Sequence, residues 1–456
     1  MSRTLATATL ATLLSAASLV EAAPRALTID DAVALALKTS PQLAAQRARA
    51  EAGDVNAGSV GRRMLPSIHV SDEAQLWNAP FAIAFPSGGG GTGGTMPMAA
   101  QAFVVRNKET NTFVASFDQP LLGLFRANDE FTTLTEQAAG DRAQITATES
   151  DLRATVETQF LHVFEAQALE QIASSSVREL GEQVTVAKAR LASGVITNAD
   201  LLRIEVAVAN AQQQALEAHS QGLTARAQLF AAIGLPPGDA AELTLVEPSA
   251  RLAAARRQGT GPSLAALLPQ AQAHRAELAR QGHLVMAADR QIGARTYALF
   301  PDIDLEGAYV RTDGQIFAPP NSAYLGIKAN WAIWEWGASD LQRKAAAIQA
   351  DAARRDQEML ARQIESELTA SLAQGDAARG AVDSADKAVA SAEEAYRVTD
   401  AALKAGAATT TDLLESQSAL TQARLNLTRS QYELVLSDVA LAHATGAVGV
   451  AGLAPM

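Results

Sequence analysis

Leu191-Ala-Ser-Gly-Val-Ile-Thr-Asn-Ala-Asp-Leu-Leu202 returns 212 residues later as Leu403-Lys-Ala-Gly-Ala-Ala-Thr-Thr-Thr-Asp-Leu-Leu414, since 403 − 191 = 212. Gly194 matches Gly406, Thr197 matches Thr409, Asp200 matches Asp412, and the two Leu-Leu pairs coincide. Each copy lies between long segments rich in Ala, Leu, Gln and Glu and free of Pro. A Gly that ends one helix, followed within three residues by a Thr or Asn that caps the next, reads as the tip of a helical hairpin. The same offset relates Gly234 to Gly446 and Gln119-Pro120-Leu121-Leu122 to Trp331-Ala332-Ile333-Trp334. From about 119 to 234 and 331 to 446 the halves overlay without a gap. Further upstream, Leu65-Pro66-Ser67-Ile68 resembles Phe300-Pro301-Asp302-Ile303 at an offset of 235 (301 − 66), so 23 extra residues fall in the first copy, between 78 and 110. The chain reads as two fused copies of one unit.

Outward from the tips, the arms carry coiled-coil seams. Leu413, Leu420, Leu427, Leu434 and Leu441 repeat every seven residues, with the small Ala423, Ser430 and Ser437 nearby. Val177, Leu180, Val184, Ala187 and Leu191 are spaced by three and four. Polar residues elsewhere on the arms are expected to face water or a lumen. Before each hairpin comes a pair of alternating segments. Ile68, Val70 and Leu76 alternate with polar residues over 66–77, and Phe113, Ala115 and Phe117 do so over 111–119. In the second copy Ile303, Leu305, Gly307 and Tyr309 alternate, as do Leu325, Ile327, Ala329, Trp331 and Ile333. These runs approach the 9–11 residues of a tilted membrane-crossing strand. Between the first two strands, Pro80–Thr110 reads as a long surface loop. Its Gly88–Gly94 run lacks the Lys-Ser/Thr of a phosphate loop.

The domain reading follows. Residues 1–23 are a secretory signal, with Arg3 before the apolar run Leu5–Val20. Residues 24–235 form the first repeat: a helix opened by Thr28 and Asp31 and kinked at Pro41, a strand pair at 66–119 and a hairpin at 123–234. Residues 236–262, broken by Pro236-Pro237-Gly238, are a linker with room for a short strand or helix of its own. Residues 263–446 form the second repeat, with a helix, a strand pair at 301–333 and a hairpin at 337–446. Residues 447–456 are a tail.

Composition narrows the function. The absence of cysteine excludes disulfides, thiolate metal sites, a cysteine nucleophile and a lipid-anchor cysteine. A net charge of −12 argues against nucleic acid as a partner. No apolar run beyond the signal is long enough for a membrane helix. The six histidines are scattered, and His162-x-x-Glu165 lacks the second ligand pair of a bundle metal site. No catalytic, cofactor or metal residue is assigned, and the protein reads as a non-enzyme. Four strands cannot close a barrel, and lipid does not tolerate open edges. The fold class is therefore mainly α with membrane β, each duplicated unit contributing a strand pair and a long coiled-coil hairpin. Three copies would give a twelve-stranded β-barrel and an α-helical barrel.

The chain resembles the TolC-like outer membrane efflux proteins across essentially its whole mature length. The resemblance rests on Leu27-Thr-Ile-Asp-Asp-Ala32, Gln119-Pro120-Leu121 and both Gly-x-x-Thr-x-x-Asp-Leu-Leu tips. It implies a homotrimeric channel in outer membrane lipid that crosses the periplasm. The channel would serve as the exit duct of a tripartite efflux or type I secretion system, with a periplasmic adaptor (membrane fusion protein) and an inner-membrane transporter as partners. It also implies that Gly194, Thr197, Asp200, Leu201, Gly406, Thr409, Asp412 and Leu413 meet the adaptor, and that Asp412 and Glu415 form an acidic ring at the entrance. The alternative is a periplasmic coiled-coil adaptor or structural protein.

Overall fold

The computed structural model describes residues 25–85, 101–235, 243–257 and 261–446. The signal, the Gly88–Gly94 run, the start of the linker and the tail lie outside them. In chain order the elements are β1 (Arg25–Leu27), α1 (Ile29–Thr39), α2 (Pro41–Arg62), β2 (Ser67–Leu76), β3 (Phe81–Phe85), β4 (Gln101–Pro120), α3 (Gly123–Ala192) and α4 (Asn198–Ile233). These are followed by β5 (Leu243–Leu245), α5 (Ser249–Arg257), α6 (Leu264–His274), α7 (Ala276–Tyr297), β6 (Asp302–Gln315), β7 (Asn321–Asn330), α8 (Ala338–Lys404) and α9 (Thr410–Ala444). At 70 residues, α3 is about 105 Å long at 1.5 Å per residue. No described helix is long and apolar enough to cross a membrane. The chain divides into two compact units.

The first unit holds residues up to Thr39, Thr155–Arg257 and Ala381–Leu436. Its hairpin arms are joined by apolar seams and by polar bonds between α3, α8 and α9. Around Phe160 the α3 helix buries more than one face: Val156, Phe160 and Val163 point one way, Leu161 and Phe164 another. A helix apolar on several sides has neighbours on several sides. The Phe160 and Phe164 rings lie 5.3 Å apart. Thr28 and Asp31 make the expected capping box on α1, with the Asp31 N–H donating to Thr28 Oγ1 at 3.2 Å. Part of the expected linker forms a short strand and a short helix, β5 and α5. β5 pairs in parallel with β1, Arg25 opposite Leu243 and Leu27 opposite Leu245. Arg251 of α5 reaches Asp30 and Glu157, both at 3.2 Å.

The second unit contains the sheet, β2-β4-β6-β7, with β3 also paired to β4. Every pairing is antiparallel. The register aligns Ile68, Phe117, Gly307 and Leu325 in one row, and Val70, Ala115, Tyr309 and Ala323 two residues on. Because side chains alternate, these two rows form an apolar band on one face, bounded by the row of Asp72, Phe113, Arg311 and Asn321. The reverse face carries His69, Ser116, Ala308 and Tyr324. There Tyr324 Oη donates to Glu306 Oε1 at 2.7 Å. The Phe117 ring lies over Gly307, where a Cβ would sit 2.3 Å from Cε1.

Four expectations are corrected here. Pro41 is not a kink: it occupies the first turn of α2, whose N-cap Ser40 accepts from the Leu43 N–H, so α1 and α2 are separate helices. Residues 80–110 are not all loop, since β3 and the first half of β4 form a hairpin extending the sheet. The last strand ends at Asn330 rather than 333. The helix expected at 263–296 is broken at Arg275, whose ψ of 113° is extended.

That break is filled by charge. Arg275 is 8% exposed. Its guanidinium donates to Glu277 and Glu367 at 3.1–3.2 Å and to the carbonyls of His443 and Ala444 at 3.4 and 3.3 Å. His443 Nε2 lies 2.8 Å from Asp151, and Nδ1 lies 3.5 Å from Glu367. Hydrogen bonding to Glu367 is the largest influence raising the His443 pKa, with Asp151 adding to it, while burial and Arg275 oppose. A raised folded-state pKa means stability is fully present below the unfolded value of 6.5 and is lost as pH rises through the folded value. Thermal melts of the purified protein should therefore fall in midpoint above about pH 6.5. H443Q should lower the acid-side midpoint and flatten that slope. An unchanged slope in H443Q would show that other groups produce it.

Candidate functional site

Each tip is built by one helix stop and one helix start, and the two copies match bond for bond. In the first, Gly194 has φ 73°. Its N–H donates to the Leu191 carbonyl, and the Val195 N–H to the Arg190 carbonyl, both at 2.9 Å. In the second, Gly406 has φ 80°. Its N–H donates to Leu403 at 3.2 Å and the Ala407 N–H to Ala402 at 2.8 Å. This left-handed stop satisfies carbonyls that a helix end leaves open. It demands a residue without a Cβ penalty.

The next helix starts with a reciprocal cap. The Asp200 N–H donates to Thr197 Oγ1 at 3.2 Å, and Asp200 Oδ2 accepts from the Thr197 N–H at 3.0 Å and its hydroxyl at 2.7 Å. Thr409 and Asp412 repeat this at 3.2, 2.8 and 2.8 Å. Such bonds favour the charged carboxylate. The Thr197 hydroxyl is the main reason the Asp200 pKa is lowered; for Asp412 it is the Thr409 backbone N–H. An acidic ring would act in the opposite direction, by mutual repulsion. Leu201 and Leu413 turn inward and are buried. Leu201 joins Ala187 and Ile204 in a small core that Leu191, Ile196 and Leu414 cover.

Of the expected site residues, Glu415 is exposed on α9, and Asp412 is exposed while held by its cap. The repeat mate of Glu415 is Arg203 (415 − 203 = 212). Arg203 donates to Thr411 Oγ1 at 3.2 Å, so a cation of the first tip reaches the second. The carboxylates therefore concentrate on the second tip.

The sequence reading missed a polar layer farther along the arms. Gln183 Nε2 donates to Gln417 Oε1 at 2.7 Å, and Gln417 Nε2 to Glu179 at 3.3 Å. Gln417 is only 2% exposed, contrary to the expectation that polar residues elsewhere on the arms face water or a lumen. The signal was present: Gln417 falls midway between Leu413 and Leu420, at the alternate seam position. Near it an open groove of about 260 Å³ runs toward the tips, lined among others by Glu182, Arg190, Tyr396, Asp400 and Lys404.

Long hairpins with matching tips accompany a five-stranded sheet that is four strands across, because β2 and β3 follow one another along the same edge of β4. The profile of the family described as Outer membrane efflux protein matches residues 32–235 and 267–447, one segment in each repeat. The chain belongs to that family. It is an outer membrane protein of a transport-channel family, and the adaptor alternative is set aside. A curated relative is the outer membrane efflux protein BepC of Brucella suis biovar 1 (strain 1330), 23% identical over 342 residues, or 74% of this chain and 73% of BepC. Among solved structures, the outer membrane protein VceC of Vibrio cholerae superposes with a TM-score of 0.75 at 17% identity, covering 92% of this chain and 96% of VceC. The open-state MtrE outer membrane channel of Neisseria gonorrhoeae gives 0.72 at 18% identity, covering 93% and 89%.

Proposed function

We propose that three copies of this chain assemble into a passive exit duct, which receives cargo from an inner-membrane transporter through a periplasmic adaptor. The observation that carries this reading is the sheet. Within the described chain β2 and β7 are outer strands, and one face carries an apolar band in the rows of Ile68 and Val70. Open edges are not stable in lipid, whereas three such sheets close as twelve strands. In this reading 24–235 and 263–446 are the two building units, 236–262 connects them, and the hairpins form the periplasmic α-barrel. The tips carrying Gly194, Thr197, Asp200, Leu201, Gly406, Thr409, Asp412 and Leu413 meet the adaptor.

Asp412 and Glu415 are proposed to line the entrance, where six carboxylates from three copies would favour cations. The first experiment is the mass of the detergent-solubilised protein together with its single-channel conductance. A trimer with small, cation-preferring openings supports the duct, and a monomer without channel activity overturns it. For the ring, D412N/E415Q is the informative variant, because Asn retains the acceptor that caps α9 while removing charge. It should lose most of the cation preference in planar bilayers. Unchanged selectivity would remove these two residues from the entrance.

A further inference from the structure

The reverse face of the sheet changes the sign of its charge along the strands. Toward the helices it carries Asp118, Asp304 and Glu306, with His69 3.7 Å from Asp118 and Lys328 4.0 Å from Glu306. At the other end stands Arg106 of β4, its guanidinium over the Trp77 ring at 3.5 Å from the centroid. Trp77 Nε1 donates to Thr110 Oγ1 at 3.1 Å, and Thr110 stands opposite Gln75. Counting along β4 from Ser116 by twos, Thr110 belongs to the reverse face, so Trp77 and Arg106 lie there too.

Arg106 is a half-buried cation without an anion. Its Nε is buried and donates to no described group, and among the described residues no carboxylate pairs with it. The carboxylates at this end are engaged or face away. Glu73 accepts from Gln75 Nε2 at 2.6 Å, and Asp313 accepts from Arg311 at 3.2 Å. Glu109 stands opposite Leu76 and Asp72 opposite Phe113, both on the face of the apolar band. Lys108, two residues from Arg106, is exposed and also lacks a described carboxylate partner. Stacking on Trp77 fixes the guanidinium from one side and leaves its terminal nitrogens as a fork of donors. An uncompensated guanidinium held in this way calls for an anion that the chain does not supply. The register sets Phe81 of β3 and Gln315 of β6 on its two sides. Phe81 is 52% exposed and Gln315 is exposed, so an apolar surface and an amide flank the cation.

We propose that Arg106, on its Trp77 platform, binds the carboxylate of a soluble organic anion whose apolar body rests against Phe81. A guanidinium fork matches a carboxylate with two parallel hydrogen bonds. The occupant is soluble rather than a lipid headgroup because the site lies on the face opposite the apolar band, and lipid meets the band. Placement in the lumen rests on the duct reading, in which three copies set three such sites at the outer end of the passage. An anion that has passed the carboxylates is met there by opposite charge.

The chain has four tryptophans, and Trp331, Trp334 and Trp336 follow β7 at the helix-proximal end, so subtracting W77F isolates the emission of Trp77. Sodium benzoate, titrated at constant ionic strength into the purified full-length protein in nonionic detergent, should give a saturable change in that emission. Benzamide, the same body without the charge, should give none. R106Q should weaken benzoate binding by about tenfold or more, the loss of a charge-assisted pair. R106K keeps the charge without the fork and should fall between them. Equal responses in wild type and R106Q, or to benzoate and benzamide, overturn the site. Where R106Q does not fold, the comparison of benzoate with benzamide in wild type still decides. Phosphatidylglycerol vesicles that shift Trp77 emission when benzoate does not would reassign the cation to a headgroup and overturn the soluble ligand. Single-channel recording separates this site from the duct. A trimeric channel without a benzoate response loses the site and keeps the duct, whereas benzoate binding without channel activity keeps the site and removes the duct.

Discussion

R275A should be the most destabilising single change in the second unit, costing about 3–5 kcal/mol, because it leaves buried charge without its partner. Two carboxylates, Glu277 and Glu367, and two carbonyls at the end of α9 now converge on one guanidinium. Glu367 shows how strongly the site favours the ionised form: its pKa is held down at about 2, first by His443 and then by Arg275. With Arg275 gone, His443 alone must answer Glu367 and Asp151. A depressed carboxylate contributes stability above its unfolded value that is lost as pH falls toward 2, so wild type should also weaken in strong acid. R275K keeps the charge but not the planar fork of donors and should fall between wild type and R275A. Thermal denaturation of the three proteins at neutral pH orders them. A midpoint for R275A within a degree of wild type would mean that the joint relaxes and water replaces the guanidinium.

F160A should cost a similar amount in the first unit, about 3–5 kcal/mol, for a different reason. Phe160 is 0% exposed, and Val156, Leu161 and Val163 beside it are as fully enclosed. Removing the ring leaves a cavity that a helix held on several sides cannot collapse to fill, and the Phe164 ring loses its neighbour. F160L, which refills most of the volume, should recover most of the loss. Equal midpoints for F160A and F160L would show that packing at this site does not depend on shape.

The two positions also mark how far the sequence could be read. Phe160 lies outside the seams that the spacing marks, and its enclosure was not legible in the sequence. Arg275 was not legible at all. Its partners Glu367 and His443 lie 92 and 168 residues away. The helix stops and caps of the tips were legible because each of those bonds joins residues three to five apart, whereas the Arg203–Thr411 bond between the tips was not. Pro41 was misread because proline in a helix interior kinks it, while proline in the first turn starts one, and only the extended Ser40 distinguishes them. The β3–β4 hairpin was misread as loop because glycine-rich sequence adjoins it.

By itself, then, the sequence determined the duplication, the hairpins, their caps and the alternation of the strands, since all of these depend on periodicity and near neighbours. Tertiary structure alone decided which seams are covered and which remain open, where the polar Gln183–Gln417 layer is buried, and how β1 finds β5. It also decided that a break at Arg275 is held by charge. Those outcomes depend on groups far apart in the chain arriving at one place. No local pattern records that, because the free energy arises only once the partners have met.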